Sequence, residues 1–166
     1  MTILDMGRDP RFGRTAESFG EDPLLISRMA ASAAKSFKRE NVSICAKHYI
    51  AHGGASGGHM SADVCIGIRG LREIHFPPAK AATDAVAELV MIAYNSIDGI
   101  PCIANKRLIT DILRDEFGFE DIVMSDDGGL GVVRELVPGH SDCMAAAVAL
   151  NSGTDVSLGD NCGIFL

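Results

Sequence analysis

The stretch FEDIVMSDDGGLG, residues 119–131, sets an apolar-rich run, Ile122-Val123-Met124-Ser125, directly before two adjacent acids and two glycines. A short run with little polar alternation reads as a strand covered on both faces. The four residues after Ser125 have two readings. Asp-Asp-Gly-Gly is ordinary turn chemistry, yet neighbouring carboxylates raise each other's pKa and cost stability unless they are solvated or used. The residues that end the other strands decide between the two.

Four further runs share this pattern: Thr2–Met6, Val42–Ala46, Leu89–Ala93 and Thr154–Ser157. Amphipathic stretches separate them. Residues 21–40, EDPLLISRMAASAAKSFKRE, carry acids and Pro23 at the start and Lys-Arg at the end, as helix capping and the macrodipole favour. In residues 70–88, GLREIHFPPAKAATDAVAE, Pro77 and Pro78 either kink a helix or mark its first turn. Residues 105–118, NKRLITDILRDEFG, open on Asn105 as an N-cap and close on Gly118. Residues 141–153, SDCMAAAVALNSG, open on Ser141 or Asp142 and close on Gly153. The order β-α-β-α-β-α-β-α-β predicts an α/β fold of about five parallel strands with right-handed crossovers, doubly wound or part of an eight-stranded barrel.

In either fold, functional groups gather at the carboxyl ends of the strands. RDPRFGR comes after the first strand, KHYIAHGG after the second, YNSIDG after the third and SDDGG after the fourth. Turns chosen only for turning would not place chemistry at every such end, so the working-site reading of Asp126 and Asp127 leads.

Bulk composition narrows the function. The 166 residues form one domain's length, 47% hydrophobic and 22% charged, as in a globular chain. A net charge of −7 argues against a nucleic-acid partner, and no run of about 18 apolar residues predicts a membrane span. Five cysteines, at 45, 65, 102, 143 and 162, lack CxxC spacing and sit mostly among apolar neighbours. They read as small buried hydrophobes of a reducing compartment, and with no signal-peptide pattern at the start the expectation is a cytoplasmic location.

At the strand ends, Asp126 can serve as nucleophile or base with Asp127 tuning it. Lys47 and His48 suit recognition of hydroxyls or a carboxylate. Tyr94 offers a phenol that donates or stacks, while Asp98-Gly99 reads as a plain turn. Arg8, Arg11 and Arg14 lie among Asp5, Asp9, Glu17, Glu21 and Asp22, predicting an ion-pair network from which one arginine reaches a ligand. His48, His52 and His59 raise a metal reading. AHGGASGGH, however, is too glycine-rich for the helix that His48/His52 spacing would need, so a mobile loop and no metal are expected. No GxGxxG nucleotide loop is present, and no cofactor is expected.

In order, the segments ILDMGRDPRFGRTAESFGEDP, CAKHYIAHG, LREIHFPPAKAA, MIAYNSIDGIPCIANKRLITDILRDEFGFEDIVMSDDG and AAAVALNSGTDVSL resemble the barrel domain of glycoside hydrolase family 3 over nearly the whole chain. That family includes β-glucosidases and β-xylosidases. The resemblance implies a partial TIM-type (β/α) barrel over residues 1–166, with early strands expected before Met1 and an α/β sandwich domain after Leu166. It implies retaining hydrolysis of terminal β-D-glucosyl residues in a β-glucoside or oligosaccharide, through a covalent glycosyl-enzyme. Asp126 matches the family's nucleophile. Lys47, His48 and Arg14 match sugar ligands, and Tyr94 stands beside the nucleophile. Lys47, Arg14 and Tyr94 would then keep Asp126 ionised and oriented.

Departures from the family pattern carry their own expectations. Asp127 stands where many relatives have an aromatic, which would weaken stacking of a second sugar and raise the pKa of Asp126. Phe12 and Arg107 stand where tryptophan is common. The acid/base of most relatives is a glutamate on the next domain. In the β-N-acetylhexosaminidase branch it is a histidine near the place of His59, but the Asp-Ser-His signature of that branch and the proline of its KHFPGHG motif are both missing here. A β-xylosidase is a further alternative. A non-catalytic reading also stands: five barrel strands leave open edges, so the chain would be a truncated barrel that assembles into a homo-oligomer.

Overall fold

The computed structural model describes residues 1–136 and 141–160. Among them are eight strands: β1 (Thr2–Ile3), β2 (Cys45–Tyr49), β3 (Asp63–Val64), β4 (Leu89–Ile92), β5 (Ser96–Ile97), β6 (Ile100–Pro101), β7 (Ile122–Asp127) and β8 (Val156–Leu158). Five form one sheet in the order β1-β2-β4-β7-β8, every neighbouring pair parallel. A doubly wound sheet reverses its strand order at a switch point. Here spatial order matches chain order throughout, which is the arrangement of a (β/α) barrel. The fold is α/β, a five-strand portion of a TIM-type barrel.

Helices fill the crossovers. α1 (Pro23–Arg39) begins where the Asp22 carboxylate accepts the Leu25 N–H at 2.8 Å, with Pro23 in the first turn. It buries Ile26, Ala30 and Ala34. α2 (Gly67–Gly70) runs through a wide π-type turn, Leu71–His75, into α3 (Phe76–Asp84). Pro77 and Pro78 therefore occupy the first turn of α3, where proline is tolerated, and the wide turn accommodates the break in the hydrogen-bond ladder. A further π-type helix, Arg107–Glu116, buries Leu108, Ile109, Ile112 and Leu113, and the Asn105 carboxamide accepts the Leu108 N–H at 3.3 Å. α4 (Leu130–Leu136) is not foreshadowed by any periodic pattern in the sequence. α5 (Asp142–Ser152) is capped by Ser141 and closed by Gly153 at φ 107°. Ala46, Val90 and Val123 share one row of the sheet and one buried core with Ala30, Ala34, Ala79, Ile109 and Ala149 from the helices.

Several expectations are corrected. A second sheet, β3-β5-β6, was not foreseen because two-residue strands carry too little pattern. Its hairpin turns at Asp98-Gly99, both at positive φ, and the Asp98 carboxylate accepts the N–H groups of Ile66 and Gly67. The glycine-rich loop is not a free excursion but two packed turns, His52–Gly54 and Ser56–Gly58. A Cβ on Gly53 would overlap the Met6 carbonyl oxygen, and one on Gly58 the Arg11 backbone, so these glycines permit close approach. Of the cysteines, Cys45 and Cys102 are buried, but Cys65 and Cys143 are exposed; Val64 turns inward and its neighbour outward. Cys162 lies outside the described residues. No described helix is long and apolar enough to cross a membrane.

Candidate active site

Parallel strands end together, so the ends of β1, β2, β4 and β7 meet on one side of the sheet. Lys47 and His48 lie inside β2, and Asp126 and Asp127 inside β7, rather than after them. Two irregularities make this possible. β2 advances from Lys47 to Tyr49 while β4 advances only from Met91 to Ile92, and β7 advances three residues where β8 advances two. An extra residue re-aims side chains that would otherwise alternate between faces. Each bulge coincides with a residue of the cluster, His48 in one and Asp126 in the other.

At the centre is a chain of three groups. His48 Nδ1 lies 2.6 Å from Asp5 Oδ2, and His48 Nε2 lies 3.2 Å from Asp126 Oδ2. The second contact is a close charge approach outside hydrogen-bonding angles, since among the described residues Asp126 Oδ2 has no hydrogen-bond partner. Asp5 and His48 are 4% and 2% exposed, whereas the Asp126 side chain is 14% exposed, so only the last opens toward a ligand. Burial alone would discharge His48, but its contacts with Asp126 and Asp5 reverse this and hold its pKa above the usual imidazole value. Burial likewise opposes charge on Asp126. His48 and the Asp127 N–H, which donates to Asp126 Oδ1 at 2.8 Å, outweigh it and keep that carboxyl below the usual range. The expectation that Asp127 raises the pKa of Asp126 is thus corrected: its nearest group is an amide donor, and its carboxylate is exposed.

The other residues form a surround. Tyr94 Oη donates to the Asp127 carbonyl oxygen at 2.6 Å, and partial burial with the Asp126 charge pushes its pKa up to about 12, so it remains a donor. The Arg14 fork is taken by Glu17, at 2.7 and 3.0 Å, and Glu17 also lies 3.8 Å from Lys47 Nζ. His48, rather than Lys47 or Arg14, is the cation in contact with Asp126. Arg11 pairs with Asp9, while Asp5 leaves the arginine network for His48. His52 is fully buried against Phe12, His48 and Tyr94, at ring-centroid distances of 5.0, 4.4 and 5.9 Å. His59 is exposed on its loop.

The potential metal donors that converge are Asp5, His48 and His52, not the triplet His48, His52 and His59. Two ligands on one ion at about 2.1 Å sit about 3 Å or more apart. The 2.6 Å approach of Asp5 to His48 is a hydrogen bond instead, and these residues do not fit a metal. Asp5 is also the residue that sequence reasoning missed as part of the site. Its partner is 43 positions away, and locally it reads as one more acid among arginines.

A buffered, partly open carboxylate at the carboxyl ends of (β/α) barrel strands, ringed by hydrogen-bond donors, is the plan of a barrel enzyme site. Residues 2–164 match the family described as "Glycosyl hydrolase family 3 N terminal domain". Among curated relatives, the periplasmic beta-glucosidase of Salmonella typhimurium is 37% identical over 168 residues, covering 95% of this chain and 21% of the relative. The xylan 1,4-beta-xylosidase of Xylanibacter ruminicola is also 37% identical, over 95% of this chain and 19% of its own. The crystal structure of the beta-glucosidase from Listeria innocua in complex with isofagomine superposes with a TM-score of 0.93 at 34% identity, over 99% of this chain and 24% of that one. The chain therefore belongs to glycoside hydrolase family 3, and it spans about a fifth of the length of the curated relatives it matches.

Proposed function

We propose that this chain carries the nucleophile and sugar-binding residues of a retaining exo-glycosidase acting on terminal β-D-glucosyl groups. The observation that carries the reading is Asp126: a carboxylate kept ionised beside His48, yet open to a ligand at the strand ends. In this reading the Asp126 carboxylate attacks the anomeric carbon as the glycosidic C–O bond breaks and the departing oxygen takes a proton from a general acid, forming a glycosyl ester that water later hydrolyses. On the same reading Lys47, His48, Arg14 and Tyr94 bind the sugar, with Lys47 and Arg14 exchanging Glu17, and Tyr94 the Asp127 carbonyl, for hydroxyls of the sugar. The similarity to the beta-glucosidase solved with isofagomine supports a sugar-shaped site. A β-xylosidase is the second reading, favoured by the equal identity to the xylosidase relative.

The test is covalent labelling with 2,4-dinitrophenyl 2-deoxy-2-fluoro-β-glucoside. Its leaving group departs without protonation, so the experiment isolates the nucleophile from any general acid. Mass spectrometry should find a fluoroglucosyl ester on the peptide containing Asp126, absent in Asp126→Asn. Adduct on another residue, or none, would overturn the assignment, and faster labelling by the xylosyl analogue would select the second reading.

A further inference from the structure

We propose that Asp5 is a positioning residue for this site: bonded to His48 Nδ1, it holds the ring as an imidazolium whose positive charge lies against Asp126. The inference rests on Asp126 being the nucleophile. A neutral imidazole donates through one nitrogen and accepts through the other. His48 has a carboxylate at each, 2.6 Å from Nδ1 and 3.2 Å from Nε2. Either neutral tautomer would set a nitrogen lone pair against a carboxylate, so both contacts are favourable only in the charged ring.

Asp5 has no other evident employment. Its second oxygen, Oδ1, is buried without a hydrogen-bond partner among the described residues. A carboxylate held this way costs stability, which fits a group whose use is the charge on its neighbour. The bulge at His48 points the same way, because it frees the ring from the alternation of the strand and leaves its direction to the side-chain partner. The remaining titratable and charged groups around His48 do not supply this role. His52, packed against its ring, is kept neutral by burial; Lys47 and Arg14 turn to Glu17; and Tyr94 donates to Asp127.

The test uses the full chain labelled with 15N in its histidine rings. In the wild type the His48 signals should show both nitrogens protonated at pH 7. Asp5→Asn keeps the size and the Nδ1 acceptor but removes the charge, so the His48 midpoint should fall by about one pH unit or more. The alkaline limb of fluoroglucoside labelling at Asp126, where the imidazolium is lost, should move to lower pH by the same amount, so that the rate on that limb falls about tenfold. A merely structural role would leave both profiles in place. Wild-type midpoint and labelling profile in Asp5→Asn would overturn the inference while the nucleophile assignment stands. The expected His48 behaviour without any label on Asp126 would overturn the assignment and leave the Asp5–His48 coupling supported. If Asp5→Asn does not fold, Asp126→Asn reads the other end: His48 should still titrate above free histidine, and an ordinary midpoint would count against Asp5.

Discussion

His52 has both ring nitrogens buried without a partner among the described residues, and burial pushes its pKa down to about 4 from an ordinary 6.5. The unfolded chain therefore takes a proton near pH 6.5 that the folded chain refuses until about pH 4. Stability falls as pH drops through that window, by about 2 kcal/mol at pH 4.5 from this ring alone. His75, also held near 4 by burial, acts in the same direction. In denaturant unfolding at pH 7 and pH 4.5, His52→Phe should lose about 2 kcal/mol less than the wild type on acidification; equal losses would contradict this. At this scale much of the candidate site's clustering was legible. Asp126, Lys47, His48 and Tyr94 announce themselves by ending apolar runs. Asp5 does not, because a hydrogen bond to a residue 43 positions away leaves no local pattern.

Among the elements, the long helices and central strands arise from periodicity and caps. Asp22, Asn105, Ser141 and Gly153 all act where their chemistry places them. The bulges in β2 and β7 were not legible, since an extra residue leaves the composition of a strand unchanged and shows only against its partner. The glycine run misled for a related reason: glycine permits motion, but it also permits contact. Gly53 lies against the Met6 carbonyl, just beyond β1, and this clamps the loop carrying His52 to the segment carrying Asp5. Gly53→Ala should cost about 1–3 kcal/mol through forced backbone displacement. Chemical denaturation would measure it, and a variant as stable as the wild type would show that the loop yields freely.

For the whole molecule, the order of elements left two architectures open, and strand adjacency separates them: partners such as β4 and β7 are chosen in space, not marked in the sequence. That order bears on how the chain reaches its fold. Each βα unit docks beside the one made just before it, so every main-sheet pairing joins sequential units and closes a loop of similar, modest length. Chains stalled on the ribosome once β7 has emerged should already protect the β2 and β4 amides from hydrogen exchange. Protection that waits for β8 would contradict this. A sheet laid down in the order of synthesis never has to keep two strands apart for a late middle partner. The apolar runs leave water in the sequence in which they are translated, and the interval in which a bare strand can meet a neighbouring chain stays short.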